Sequence, residues 1–504
     1  MCESVSPCEG LAQPPGCAFA LVLNDSSSTQ ERVLKTKLLQ LECHFTWALI
    51  KDDTDLNDLL NRLEEQINFD LGKEKGAPRT FSHLGFVKYL MGSHEEALGY
   101  MKKSVEFIKE HPGEDYDKLL VVPYGNLSWF HYHQNNYDEC ESYLNKLNEI
   151  KEKYFPNYIS VSNPDVLGEK GWTFLKFSRK YYGRAKDCFR KALELEPEEG
   201  EWNVGYAIAL YRTEDEVSSP TESPAIQQLR RAIGTNPDDD VLKVLLALKL
   251  TVYKQYNEAE SLVEKALENS PEHPHVIRYT GKFFRNQGSV DRAIALLKRA
   301  LERVPNSGFI HHQLALSYKK KKANLHRAGN HHSKGAEIQR IRNQCIYHLE
   351  MATTLKPSFI LAMSDLALFY GENRELSKAE ELFQATFQVA KEKNDACQLV
   401  NVCYADFQLH SVRYEPLAIK HYMEGLKMGP NTTEGKRSAS SLKKIAEKRL
   451  SRNPSDAEAF GILGFVHKEK GEKQQAIECY EKALSHEDND DYLSNLCDLR
   501  LSLQ

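Results

Sequence analysis

Tyr182-Gly183-Arg184-Ala185, followed by Phe189, Ala192-Leu193 and Pro197, is the stretch on which the fold turns. It sets out a small residue, a large one four later, a second small one three further on, and a proline five beyond. The same skeleton returns as Ala259, Val263, Ala266-Leu267 and Pro271, and as Ala293, Leu297, Ala300-Leu301 and Pro305. It returns again as Ala418, Tyr422, Gly425 and Pro430, and as Ala476, Tyr480 and Ala483-Leu484. Ala225, Ala259 and Ala293 are 34 residues apart, as are Cys345 and Ala379. Positions i, i+4 and i+7 share one helical face. The small residues let one helix sit close to another, and the large residue fills the groove between them. Proline then ends the helix, because it has no N–H to donate.

A 34-residue period with this pattern is the tetratricopeptide signature. Weaker copies lie at Gly92/Ala97/Met101 and Tyr137/Cys140/Leu144, which makes about nine helix pairs. Each pair leaves an apolar face uncovered, so the pairs must stack into a superhelix. Strand signals are nearly absent, and 27 Gly and 19 Pro in 504 residues suit helices. The expected fold is all-α. Residues 1–30 read as a loose tail, 31–212 as an N-terminal subdomain, 225–430 as a central superhelix with an insertion at 319–343, and 431–504 as a C-terminal helical subdomain. Asn145–Val166, Thr213–Pro224, Lys319–Asn343 and Asn431–Pro454 break the 34-residue beat and are expected to be bends or linkers.

With 66 Lys and Arg against 72 Asp and Glu, the net charge is −6, which excludes nucleic-acid binding by bulk positive charge. The cysteines number 11, widely spaced and without a C-x-x-C, as expected of a reducing compartment such as the cytoplasm. The longest early apolar run, Cys17–Leu23, is too short for a membrane span, and no cation precedes it as a signal peptide would need. His311-His312 and His331-His332 lack the i, i+4 spacing of a helical zinc site. Gly429 to Lys436 fails as a P-loop, and no nucleophile elbow is present. The expectation is a protein that is not an enzyme and carries no metal and no cofactor.

Cations gather on the first helices of the repeats. Arg278, Lys282 and Arg285 form one stripe at i, i+4 and i+7. Counted back from Ala293 as position 20 of its unit, they fall at positions 5, 9 and 12, which face the concave side of such superhelices. Lys282 replaces the Asn that a two-carboxylate peptide clamp would need. His312 falls at position 5 of the next unit, beside Gln313. Trp172 and Lys176 are i, i+4, as are Ile208 and Arg212, so each cation has a flat or apolar neighbour one turn away. That pairing suits a nucleotide, whose base stacks while its phosphates pair. One cation on a helix is ordinarily a solvated face, and Trp172 alone could be core; the coincidence over neighbouring units points to an anionic ligand. Two functions stay open: capture of an RNA 5′ end, or a scaffold that binds acidic peptide tails through Arg278 and Lys282.

Longer strings narrow the choice. Leu41-Glu42-Cys43-His44-Phe45-Thr46-Trp47, Lys170-Gly171-Trp172-Thr173-Phe174-Leu175-Lys176, Gly205-Tyr206-Ala207-Ile208, Lys243 to Leu250, His311-His312-Gln313 and Leu463-Gly464-Phe465-Val466 occur in this order. Over residues 31–503 the chain resembles the interferon-induced proteins with tetratricopeptide repeats, and its ending, Leu496 to Ser502, is most similar to member 5. The resemblance implies a superhelix around a deep basic tunnel. It also implies capture of the 5′ end of foreign single-stranded RNA, as a triphosphate or a cap lacking ribose methylation, and a block to its translation. The partners implied are that RNA and, on other surfaces, related family members or host proteins, with no membrane. By match to the family, Gln66, Lys176 and Arg212 bind the triphosphate, Arg62 lies beside them, Trp172 stacks on the cap and Ile208 is its apolar wall. Arg278, His312 and Gln313 match RNA-tracking positions, as do Tyr182, Lys249 and Lys356, with Lys282 on the same stripe. The basic segment Lys436–Arg449 extends the path. Asp70-Leu71-Gly72, Asp239 and Val241 depart from the family pattern, and these departures weigh against a cap more than against a triphosphate.

Overall fold

The computed structural model describes residues 29–70, 76–111, 116–154, 163–214, 219–327, 335–393 and 396–502. Among them secondary structure is helical throughout. Ten antiparallel pairs stack in chain order, from Gly76–Leu90 with His94–Glu110 to Ala457–Glu469 with Lys473–His486. The helices Thr29–Leu38, Leu56–Asp70, Thr433–Leu450 and Asp490–Leu501 stand outside the pairs.

The repeat skeleton is the core. Ala185, Phe189, Ala192, Ala259, Val263, Ala266, Ala293, Leu297 and Ala300 are all 0% exposed, so each small-large-small face is closed by its partner helix. Cys345, Leu349, Ala379, Phe383, Ala418 and Tyr422 repeat this. Local chemistry punctuates the pairs. Asn163 caps Pro164–Phe177 by accepting from the Asp165 amide at 2.9 Å, with Pro164 in the first turn. Asp239 caps Asp240–Val252 by accepting from the Val241 and Leu242 amides. Gly288, at φ 95°, turns Pro274–Gln287 into the next helix.

Three of the four stretches expected to be bends are largely helix where they are described: Asn145–Tyr154 continues the helix Tyr137–Tyr154, and two others follow suit. Lys319–Asn343 is largely absorbed by the lengthened pair Gly308–Arg327 and Gly335–Leu355, and Asn431–Pro454 holds the single helix Thr433–Leu450. Thr433–Leu450 buries Ser438, Ala439, Leu442, Ile445 and Ala446 along one face, and the added turns of the lengthened pair bury Lys322, Ile338 and Ile341, so each packs on the core while falling off the 34-residue beat. The tail 1–28, Leu71-Gly72 and His331-His332 lie outside the described residues. The cysteines that are described carry no disulfide, and no described helix is long and apolar enough to cross a membrane.

The stack returns on itself after seven pairs. Lys356, which follows the seventh pair, places its Nζ 2.7 Å from the Asp58 carboxylate, and Ser358 donates to Asp55 at 2.7 Å. Lys393, at the end of the eighth, donates to the backbone carbonyls of Asp52 and Thr54. These contacts clasp the segment before the first pair against the junction of the seventh and eighth, so one turn of the superhelix is closed.

Candidate functional site

The helix that precedes the first pair and the first helices of later pairs bring cations into one another's range. Arg62 lies on Leu56–Asp70, Lys176 on Pro164–Phe177, Arg212 on Gly200–Thr213, and Arg278 and Lys282 on Pro274–Gln287. Neighbouring titratable groups register their fields. His83 is held well below its usual range by burial, by His44, and by Lys176 and Arg62. His275 is held well below its range by burial, and then by Arg278, His273, Lys176 and Arg212. Burial would raise the Tyr279 phenol, yet Arg278, Arg212 and Lys282 together bring it below its ordinary value. The three readings overlap and trace a continuous run of positive potential from Arg62 to Lys282.

Among the described residues, Arg212, Arg278, Lys282 and Arg285 have no carboxylate partner. Arg212 donates to the Leu175 carbonyl at 3.0 Å and lies over the Tyr182 ring at 4.8 Å. Arg278 is 4.7 Å from the centroids of both Tyr279 and Phe309, and its buried Nε has no acceptor. Burial and Arg285 lower the Lys282 ammonium. Arg285 donates to Gln313 Oε1 at 2.6 Å. Cations held by ring faces and carbonyls keep their charge available, and for the half-buried Arg278, Lys282 and Arg285 leaving it uncompensated is costly, while Arg212 is exposed. An anionic ligand removes that cost.

Other expected residues are engaged by the protein itself. Lys249 forms an ion pair with Glu214, both nearly buried at 12% and 6% side-chain exposure. Glu214 also accepts from Ser223 and the Ala225 amide, which ties the 213–224 segment to the next pair. His312 faces Asp365 at 3.4 Å and packs edge-on to Phe359, and Asp365 takes Lys319 at 2.8 Å. The hydrogen bond from His312 and the charge of Lys319 bring the Asp365 carboxyl down to about 2 against the upward push of burial. Lys356 and Arg62 share Asp58. Gln66 and Ile208 are half-buried on the same helices as Arg62 and Arg212. Asp239 spends its carboxylate on its helix cap, beside Val241.

Sequence reasoning missed Arg79. It sits in the first turn of Gly76–Leu90, forms an ion pair with Glu201, and lies over the half-buried Trp172 at 5.4 Å. The only local signal was one arginine among neighbours that are almost all buried, which demands a partner. Among the described residues no cluster of His, Cys, Asp and Glu could hold a metal ion.

Tetratricopeptide-repeat family models match residues 123–154, 175–199, 253–315 and 457–489. The human antiviral innate immune response effector IFIT1 is 36% identical over 465 residues, 91% of this chain and 97% of that protein. Two solved structures are similar over 90% of this chain and 99% of theirs. One is a human IFIT1 dimer with PPP-AAAA, at 35% identity and a TM-score of 0.77; the other is the human IFIT1 dimer with m7Gppp-AAAA, at 36% and 0.78. A likeness this long at this identity places the chain in the family of interferon-induced proteins with tetratricopeptide repeats.

Proposed function

We infer that the chain captures the 5′ end of single-stranded RNA, a triphosphate in preference to a cap, and holds it without chemistry on it. The observation that carries this is the run of overlapping positive potential in which Arg212, Arg278 and Lys282 lack a carboxylate partner among the described residues. A 5′-triphosphate is a dense anion that needs several converging donors, and charge-assisted contacts in a partly buried site are the strong ones. Lys176 and Arg212 take the terminal phosphates, Gln66 adds a neutral donor and Arg62 completes the rim. Tyr182 and Ile208 supply flat and apolar contact to the first nucleotide, and Trp172 is the face on which a cap would stack. Arg278 and Lys282 follow the backbone, so base preference is slight. His312, Gln313, Lys249 and Lys356, each engaged with a protein partner, shape the wall along which the RNA runs. IFIT1, which carries the effector's name and is seen with PPP-AAAA, supports this reading. Held in this way in the cytoplasm, a foreign RNA is kept from translation.

The test compares one RNA bearing a triphosphate, a monophosphate or a cap. Triphosphate binds tightest, and Lys176→Ala and Arg212→Ala each weaken it about ten- to a hundredfold. The affinity falls steeply between low and high salt as counterions are released. Parent-like binding by both variants would refute the site, and an affinity insensitive to salt would favour a peptide groove.

A further inference from the structure

Arg79 is a cation at the edge of the proposed 5′-end site that is engaged by a carboxylate and by the Trp172 face together. Its guanidinium lies 5.4 Å from the centroid of Trp172 and is ion-paired to Glu201, with side-chain exposures of 12% and 23%. Trp172 is otherwise held by Phe189, whose ring packs edge-on at 5.3 Å and 77°. The Trp172 indole N–H is buried without an acceptor. Asp165 and Glu169 border the same cavity as Arg79. Asp165, Glu169, Trp172 and Lys176 follow one another along one face of Pro164–Phe177, so an acidic half of the stripe adjoins the cationic half. Burial raises the Glu169 carboxyl to about 8 even though Arg79 opposes the shift. Arg79 is thus set against the Glu201 carboxylate, and Asp165 borders its cavity.

We propose that Arg79 is a built-in occupant of the Trp172 face and a specificity-determining residue that sets which 5′ end the chain accepts. This rests on the reading of the site as a 5′-end pocket. An end that offers phosphates alone engages the cationic half and leaves Arg79 in place. An end that carries a 7-methylated guanine brings a second positively charged ring system to the same aromatic face. A cation over Trp and a methylated purine compete for one attraction, and two like charges there repel. Without Arg79, the ring face is left open with Glu201, the former partner of Arg79, close by, which favours a cationic base. Selection against a methylated cap thus comes from a group on the protein as well as from what the pocket lacks.

The experiment measures the affinities of one RNA sequence bearing ppp, Gppp or m7Gppp, for the full chain and for Arg79→Ala and Arg79→Met. Met keeps the length and packing of the side chain if Ala folds poorly. The ratio of m7Gppp to ppp affinity rises about tenfold or more in either variant, the gain is larger for m7Gppp than for Gppp, and ppp binding changes less than about threefold. A folded variant whose ratio is unchanged, or in which both affinities fall together, overturns the proposal and leaves Arg79 as a staple between its helix and Gly200–Thr213. If the parent chain binds none of the three RNAs, the reading of the site fails, and this proposal fails with it.

Discussion

Glu169 lies one turn before Trp172 and pays for its position in a measurable way. Its folded carboxyl titrates near 8, raised by burial, against an ordinary value of 4.5. The folded chain therefore holds a proton there that the unfolded chain releases, and stability falls as pH rises from about 4.5 to about 8. Glu169→Gln keeps the shape and cannot ionise. Its melting temperature is expected to gain on that of the parent between pH 5 and pH 8, by on the order of a few degrees. A constant gap across that range would mean that Glu169 is ionised in the folded protein at neutral pH. Asp365 has the opposite sign: His312 and Lys319 hold it near 2, so its contribution is present above the ordinary carboxylate range and is lost only in acid. The two carboxyls differ in sign because of their surroundings alone: burial dominates at Glu169, and donors dominate at Asp365.

At the scale of the helix pair, close approach is the controlling variable. Phe189 is wedged between Gly171 and Gly205; a Cβ at Gly171 would come within 2.8 Å of its ring, and a Cβ at Gly205 would overlap it. Gly205→Ala gains helix propensity of up to about 1 kcal/mol but overpacks the wedge at about 1–3 kcal/mol or more. Because Phe189 backs Trp172, the strain reaches the proposed site. The expected result is a lower urea midpoint together with weaker capture of triphosphate RNA; an unchanged midpoint would show that Phe189 moves freely. The repeat ladder was legible in the sequence because its rule is local: Ala185, Phe189 and Ala192 meet on one helix face whatever lies elsewhere. The stripe Arg278, Lys282 and Arg285 was legible for the same reason. Arg79 was not, because Glu201 is 122 positions away and no spacing rule links them. Nor could spacing separate Lys249 from Lys282. Glu214, which engages Lys249, sits at the edge of an insertion whose path the repeat does not dictate. The helices through Lys319–Asn343 and Asn431–Pro454 were hidden because they fall off the 34-residue beat: Thr433–Leu450 buries Ala439, Leu442, Ile445 and Ala446 on one face but stands outside the pairs.

For the molecule as a whole, the clasp of Asp55 and Asp58 against Ser358 and Lys356 closes a turn of superhelix that nearest-neighbour stacking alone would leave open. Asp58 is held below its ordinary range by Arg62 and Lys356, against burial. Two roles for Lys356 predict opposite results. If it mainly meets RNA, Asp58→Asn frees it and affinity holds or rises. If it mainly closes the turn, Asp58→Asn and Lys356→Met each destabilise the fold, and the two changes together cost less than their sum. We expect the second outcome, with a coupling of about 0.5–3 kcal/mol in thermal or urea unfolding. Strict additivity would remove the clasp from the account.

The same clasp sets a timetable for synthesis. Asp58 and Lys356 are 298 positions apart. At about 5–20 residues per second, a ribosome needs roughly 15–60 s to supply the second after the first. Through that interval the leading segment must keep its shape without the closing contact. It has the means: Asp55 already caps its own helix by accepting from the Asp58 amide at 3.1 Å, Arg62 engages Asp58 one turn on, and Asp53 is taken by Lys180 and Tyr181 once the third pair appears. The nascent chain thus carries a charged, self-capped edge in place of a sticky one, and ring closure becomes a late event in the life of the polypeptide.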